Sequence, residues 1–465
     1  MASTNVAPRA EKINLLRVLG PVHVWGLGVG IVLVGEFSGW NFAVGKGGAL
    51  AVLIACWVAG LLYTCVAMID SEVTSTVAAA GGQYAQSKHI VGPLMAFNVG
   101  LYLVMAYTML EAGNALTAGY LVQYAATLLG VEGVNYQPYA IMAIASLAFL
   151  NYRGVLATLT FNYIITAIAF VSIIVLFIAA EPWAPGKVMN HKDLLTGLPY
   201  GWVGVVASLH FALWFFLGIE GTTQAAEEVR SPARALPLGT MTGMITLLIA
   251  ATLTWYVAAG VLPWEWLGTV ANYTPLFDVS RVIGYTWLTI LLFIGTLFSA
   301  LASANGCIND ASRAWFSMGR DRYVPIWFGA VHPVNRTPFR AIVFLLPIAL
   351  AFALKVPLDQ IITFSILSGL LGYTVMSLNM IMFRNKWPLD SIKRGYVHPF
   401  HPIPALVLLV LCAVTYFAIF LGYGTQLLAM LGFYIIISLW FAFHRYRFVR
   451  RGDQFTMDWP RPRGY

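Results

Sequence analysis

Twelve stretches of the chain are apolar over the roughly 20 residues that a helix needs to cross a bilayer. They run over 22–45, 49–78, 93–126, 137–153, 156–180, 201–230, 236–262, 285–318, 337–355, 358–384, 402–422 and 426–448. Two are interrupted in their middle. The stretch from His210 to Pro232 reads HFALWFFLGIEGTTQAAEEVRSP and carries Gly218, Glu220 and Gly221 in its middle. The stretch from Gly26 to Gly48 reads GLGVGIVLVGEFSGWNFAVGKGG and holds Glu36 among Gly35, Ser38 and Gly39. Irregular backbone at membrane depth is tolerated only where protein surrounds it. Both stretches are therefore predicted to be broken helices, and a matched pair of them in two halves of a chain points to a transporter's binding site.

Their positions in the count matter. Five stretches precede the second broken one and six follow it, so the interrupted spans are the first and the sixth. An odd number of crossings reverses direction, which makes 22–180 and 201–384 two inverted five-helix repeats. The segment 181–200 joins them, the last two helices lie in 385–448, and short tails occupy 1–21 and 449–465.

Composition agrees with an all-α membrane protein of twelve transmembrane helices. Of 465 residues, 59% are hydrophobic and 10% charged, with a mean hydropathy of +0.77; soluble domains carry roughly 25% charged residues. The net charge of +8 is a matter of topology. With both termini inside, 22 of the 27 Lys and Arg fall in inner segments and five (Lys46, Lys187, Lys192, Arg281 and Lys355) in outer ones, as expected when basic loops stay cytoplasmic. This excludes a nucleic-acid partner as the reason for the charge and places the chain in the cell's inner (cytoplasmic) membrane. The four cysteines lack metal-type spacing. No small-residue cleavage site follows the first span, so a retained helix is expected there and not a signal peptide. HExxH, GxSxG and P-loop motifs are absent, which argues against an enzyme.

Several ordered motifs are familiar. VWGLGVGIVLVGEFSGWNF (24–42), AAAGGQYAQSKHIVGP (78–93), ALWFFLGIEG (212–221), EEVRSPARALP (227–237), NDASRAWFSMGRDR (309–322) and VNRTP (334–338) resemble the amino acid–polyamine–organocation superfamily of transporters, and within it the ethanolamine permease branch. The resemblance covers about residues 15–450. It implies a LeuT-like fold, alternating access, and a central site between the first and sixth spans, walled by the third and eighth.

Three acids, Glu36, Glu111 and Glu220, lie at membrane depth, and no Lys or Arg occupies the central portion of spans one, three, six or eight to pair with them. Each would cost about 2.5–3.5 kcal/mol at mid-helix, so a substrate ammonium, a proton or internal hydrogen bonds must offset them. That pattern points to a cationic or zwitterionic amine. Candidate contacts in the first span are Glu36, Phe37, Ser38, Gly39, Trp40 and Asn41; capping of a half-helix end is the alternative for Glu36. In the third span Glu111 aligns with a wall position that faces substrate in relatives, and Tyr107, one turn earlier, shares its face. In the sixth span the resemblance makes the Trp214 carbonyl an acceptor for the ammonium and Phe215 and Phe216 a gate. Glu220 is expected to organise the unwound backbone more than to touch substrate. In the eighth span Ser303 aligns with a pocket position, with Cys307 nearby.

One departure narrows the substrate. Relatives that carry amino acids usually show a Gly-Ser-Gly break that bares N–H groups to a carboxylate, whereas Ser38-Gly39-Trp40-Asn41 puts bulk there. An amine without a carboxyl group, such as ethanolamine, fits better, its hydroxyl reaching Asn41 or Ser38. An amino acid permease or exchanger is the runner-up; a channel or a membrane-embedded enzyme ranks below both. No cofactor is expected beyond coupling to H+ or Na+. A sodium ion would draw on Ser299 and Ser303, and His23 and His210 are the histidines placed to carry protons.

Overall fold

The computed structural model describes residues 15–184, 197–269 and 273–449. Most of the predicted stretches are single helices: Ala49–Thr76, Pro93–Leu128, Val155–Ala179, Pro232–Val261, Thr286–Arg320 and Leu358–Lys386. Eight helices are long and apolar enough to cross a membrane, or nine when one bent pair counts as a span, among the described residues. The predicted stretches 137–153 and 337–355 form helices of 17 residues, Gln137–Arg153 and Phe339–Lys355. The last two stretches run as one helix, Ile403–Trp440, interrupted by non-helical Tyr423 (φ −137°, ψ 38°).

The two stretches singled out by pattern are broken. The first consists of α1 (Pro21–Val32), α2 (Val34–Phe37) and α3 (Asn41–Gly47). Ser38 is extended and Gly39 has φ +92°, so the axis bends by 50° at this point. Chain order continues with α4 (Ala49–Thr76), α5 (Gln83–Ile90), α6 (Pro93–Leu128), α7 (Gln137–Arg153) and α8 (Val155–Ala179). The second broken stretch starts as α9 (Gly201–Ala212) and then passes into 3-10 turns at Leu213–Phe215, Ile219–Thr223 and Ala226–Glu228. Gly218 between them has φ +110°, a conformation that a Cβ would strain. After it come α10 (Pro232–Val261), α11 (Trp264–Leu267), α12 (Pro275–Ile283), α13 (Thr286–Arg320), α14 (Phe339–Lys355), α15 (Leu358–Lys386) and α16 (Ile403–Trp440).

The long helices α6 and α13 form the spine. They pack on each other, α6 also against α15 and α13 also against α8, while α1 lies between α8, α10 and α13. The broken segments are thus enclosed by protein on every side, as unsatisfied backbone in a bilayer requires.

The two ends of the bundle differ. One end is sealed by ion pairs: Lys88–Asp321 at 2.9 Å, Arg313–Glu228 at 2.7 Å, Arg320–Glu227 at 3.1 Å and Arg384–Glu72 at 2.7 Å, with Arg394 also on Glu72. This is the basic end that the charge pattern assigns to the cytoplasm. Here Leu19, ahead of α1, pairs with Val229 as an isolated parallel β-bridge, the Leu19 N–H donating to the Glu228 carbonyl and the Arg230 N–H to the Leu19 carbonyl. The short polar helix α5, which no apolar pattern marks, belongs to this end. The other end, at the C-terminus of α6, carries α11 and α12 and opens as a cavity. Parts of the tails (1–14 and 450–465) and of the joining segment, with Lys187 and Lys192, lie outside the described residues.

Candidate functional site

The residues expected from the two breaks meet at the centre. Trp214 reaches from one break to the other, its indole N–H donating to the Ser38 carbonyl at 2.9 Å. Trp40 stacks on Phe215 with ring centroids 5.3 Å apart and donates its own indole N–H to the Glu36 carbonyl at 3.0 Å. Phe216 leans on Tyr63 of α4 at 5.9 Å. Trp40, Phe215 and Phe216 are all fully buried. The breaks approach closely at glycine: a Cβ on Gly35 would run into the Trp214 carbonyl, and one on Gly218 into the side chain of Ile31.

The acids behave differently from one another. Glu220 is engaged: Oε2 accepts from the Gly218 N–H at 3.2 Å and Oε1 from the Tyr107 hydroxyl at 3.4 Å. Its carboxylate holds the unwound turn and ties it to α6. Glu36 is 0% exposed, and neither of its carboxylate oxygens has a hydrogen-bond partner. No ion pair reaches it among the described residues. The Ser38 hydroxyl beside it is likewise buried and unpartnered.

Glu111 borders a small gap with Ala148 of α7, Ile308 and Ala311 of α13, and Ile342, Leu345 and Leu346 of α14. Asn41 is also committed, because its Oδ1 accepts from the Gly39 N–H at 3.1 Å and its Nδ2 donates to the Leu267 carbonyl at 3.0 Å. It staples the first break instead of presenting an amide to a substrate hydroxyl. Phe37 points toward α13, its ring against Gly295.

In α13 the Ser303 hydroxyl donates to the Ile31 carbonyl and accepts from Asn114 of α6 at 2.5 Å. Ser299 donates within its own helix to the Thr296 carbonyl at 2.8 Å. The two hydroxyls donate to different carbonyls. Cys307, one helical turn on, is buried. His23 lies 3.4 Å from the Thr160 hydroxyl, whereas the Nε2 atom of buried His210 has no partner.

Three residues of the centre escape the sequence pattern. Asn114 shares a helical face with Tyr107 and Glu111, a signal that was present in the spacing. Asp310, buried against Gly221 of the second break, has Oδ2 unpartnered while Oδ1 accepts from Asn309 at 2.9 Å. Asp70 of α4 accepts from Gln83 at 3.1 Å and Gln86 at 3.0 Å. Nothing in an apolar count distinguishes the last two from ordinary buried polar residues.

Residues 18–454 match the family model described as amino acid permease. The chain is 70% identical over 464 residues to an uncharacterized transporter of Rhizobium meliloti (strain 1021), covering 100% of this chain and 99% of that one. It is 25% identical to the methylthioribose transporter of Bacillus subtilis (strain 168), over 88% of this chain and 89% of the relative. The branched-chain amino acid permease BcaP of the same organism is 24% identical over 87% and 88%.

Proposed function

Because the chain belongs to the amino acid permease family and is a membrane transporter, not an enzyme, we propose that it carries ethanolamine or a similar small primary amine across the cytoplasmic membrane by alternating access. In this proposal twelve crossings have both termini in the cytoplasm, and residues 22–180 and 201–384 are the inverted repeats of a LeuT-like fold. Substrate sits between the breaks, beneath Trp40, Trp214, Phe215 and Phe216. Tyr107 and Glu220 hold the second break, and Ser303 ties α13 to α1.

The observation that carries the proposal is the state of Glu36. A carboxylate this buried, with no hydrogen bond and no basic neighbour, is costly in a bilayer, and an arriving ammonium or proton relieves that cost. Ser38 adds a free hydroxyl next to it. The case against a substrate carboxylate rests on Asn41: it already caps the Gly39 amide, a donor that a carboxylate would need at this turn.

A zwitterionic amino acid is the second candidate, favoured by the family description and by the relative BcaP. Named relatives at about a quarter identity carry chemically different solutes, a thioether sugar and branched-chain amino acids by their names, so kinship does not choose. Uptake into proteoliposomes chooses. Labelled ethanolamine should accumulate and be displaced by unlabelled short primary amines but not by alanine. Glu36→Gln should cut that uptake by about tenfold or more, the loss of one charge-assisted contact. Displacement by alanine at equal concentration, or full activity in Glu36→Gln, would assign the site to another solute or the acid to another role.

A further inference from the structure

Away from the breaks, a cavity of about 460 Å³ opens at the end of the bundle opposite the ion pairs. Its volume falls within the roughly 300–1,000 Å³ of ordinary ligand pockets. The last turns of α6 supply Tyr120 and Tyr124, α11 supplies Trp266, and Tyr273 and Asp278 come from the start of α12 and the residues before it. The tyrosines are held rigidly. Tyr273 stacks on Tyr120 with centroids 4.6 Å apart, and Tyr120 stacks in turn on Tyr136 at 4.3 Å. Trp266 is 45% exposed, its indole part of the cavity wall. Asp278 is only 7% exposed, and its Oδ1 accepts from the Tyr124 hydroxyl at 2.7 Å.

Aromatic rings lining a cavity with a buried carboxylate in its wall attract cations through ring quadrupole and charge together. The basic group nearest the carboxylate, Arg281, does not line the cavity. It stands outside, 44% exposed, with Nη1 3.0 Å from the Tyr124 hydroxyl and 3.9 Å from Asp278 Oδ1. It reduces the field of the carboxylate without lining the cavity.

We propose that this cavity is a binding site for small organic ammonium ions, distinct from the centre, formed by Tyr124, Trp266, Tyr273 and Asp278 and weakened by Arg281. The site does not depend on ethanolamine being the transported solute, since a quaternary ammonium that never reaches the centre should occupy it.

Tetramethylammonium is the probe, titrated calorimetrically into the full-length protein in nanodiscs at constant ionic strength. Saturable binding is expected, and neopentyl alcohol, a neutral molecule of similar shape, should not bind. Asp278→Asn and Trp266→Leu should each weaken tetramethylammonium by about tenfold, and Arg281→Gln should tighten it by about threefold. Opposite signs at Asp278 and Arg281 are what a merely structural role would not produce. Trp266 and Arg281 are exposed enough that their variants should fold even if the aspartate variant does not. Absence of saturable binding, equal binding of the alcohol, or shifts of one sign in both charge variants would overturn the proposal. So would loss of tetramethylammonium binding in Trp214→Phe, which would move the ion to the centre.

Discussion

Glycine at 218 illustrates how much of this centre is set by single residues. Its φ of +110° is left-handed, and a Cβ there would also meet Ile31 of α1. Gly218→Ala should therefore destabilise the protein by about 1–2 kcal/mol from backbone strain alone, seen as a lower thermal midpoint, and should depress uptake further because Glu220 caps this same amide. A variant that melts and transports like the parent would show that the turn is not needed. Glu36 and Ser38 lie on the same scale: their sequence neighbourhood already marked them, and their lack of partners gives that mark a chemical meaning. Glu111 shows where spacing stops. A helix buried on all sides offers no polar face to orient it, so spacing located the acid on α6 without revealing that it borders α7 and α14. The backbone contacts of Asn41 were hidden for a related reason, since an amide beside a break serves the backbone as readily as a ligand.

Among elements, the broken helices were legible because glycine, serine and acid in the midst of apolar runs leave few alternatives in a bilayer. The polar helix α5 was not, having neither apolar periodicity nor length. Yet the end of the bundle it belongs to is where the strongest electrostatics sit. Arg313 of α13 clasps Glu228 through Nε at 2.7 Å and Nη2 at 3.0 Å, with exposures of 2% and 0%. Removing one partner of so buried a pair leaves an uncompensated charge, at a cost of about 3–5 kcal/mol. Arg313→Ala should accordingly be hard to recover folded, whereas Arg320→Ala, whose side chain is 39% exposed, should cost under about 1 kcal/mol. Comparable melting curves for the two would contradict this assignment of weight.

At the scale of the whole molecule, one end is open to a cavity and the other is closed by paired charges, while the centre between them is sealed by aromatic rings. The native cysteines are all buried, so introduced thiols give a clean readout. In cells, Thr269→Cys, exposed on the cavity rim, should react with a membrane-impermeant maleimide from outside. Thr223→Cys, buried behind the second break, should not. The reverse pattern would invert the proposed orientation. Charge asymmetry along the sequence carried the orientation, but no linear pattern could have disclosed that the open end is caged in tyrosine and tryptophan. Those rings come from α6, α11 and the start of α12, apart in the chain and joined only by packing.

The bridge between Leu19 and Val229 has a mechanical consequence. Its hydrogen bonds run from peptide to peptide, so no exchange of side chains short of proline abolishes them directly, and they clamp the entrance of one interrupted rod to the exit of the other. Under the proposed alternating access, release of cargo toward that end would either unzip this short splice or swing both rods together as a single lever, binding the timing of the two halves to one event.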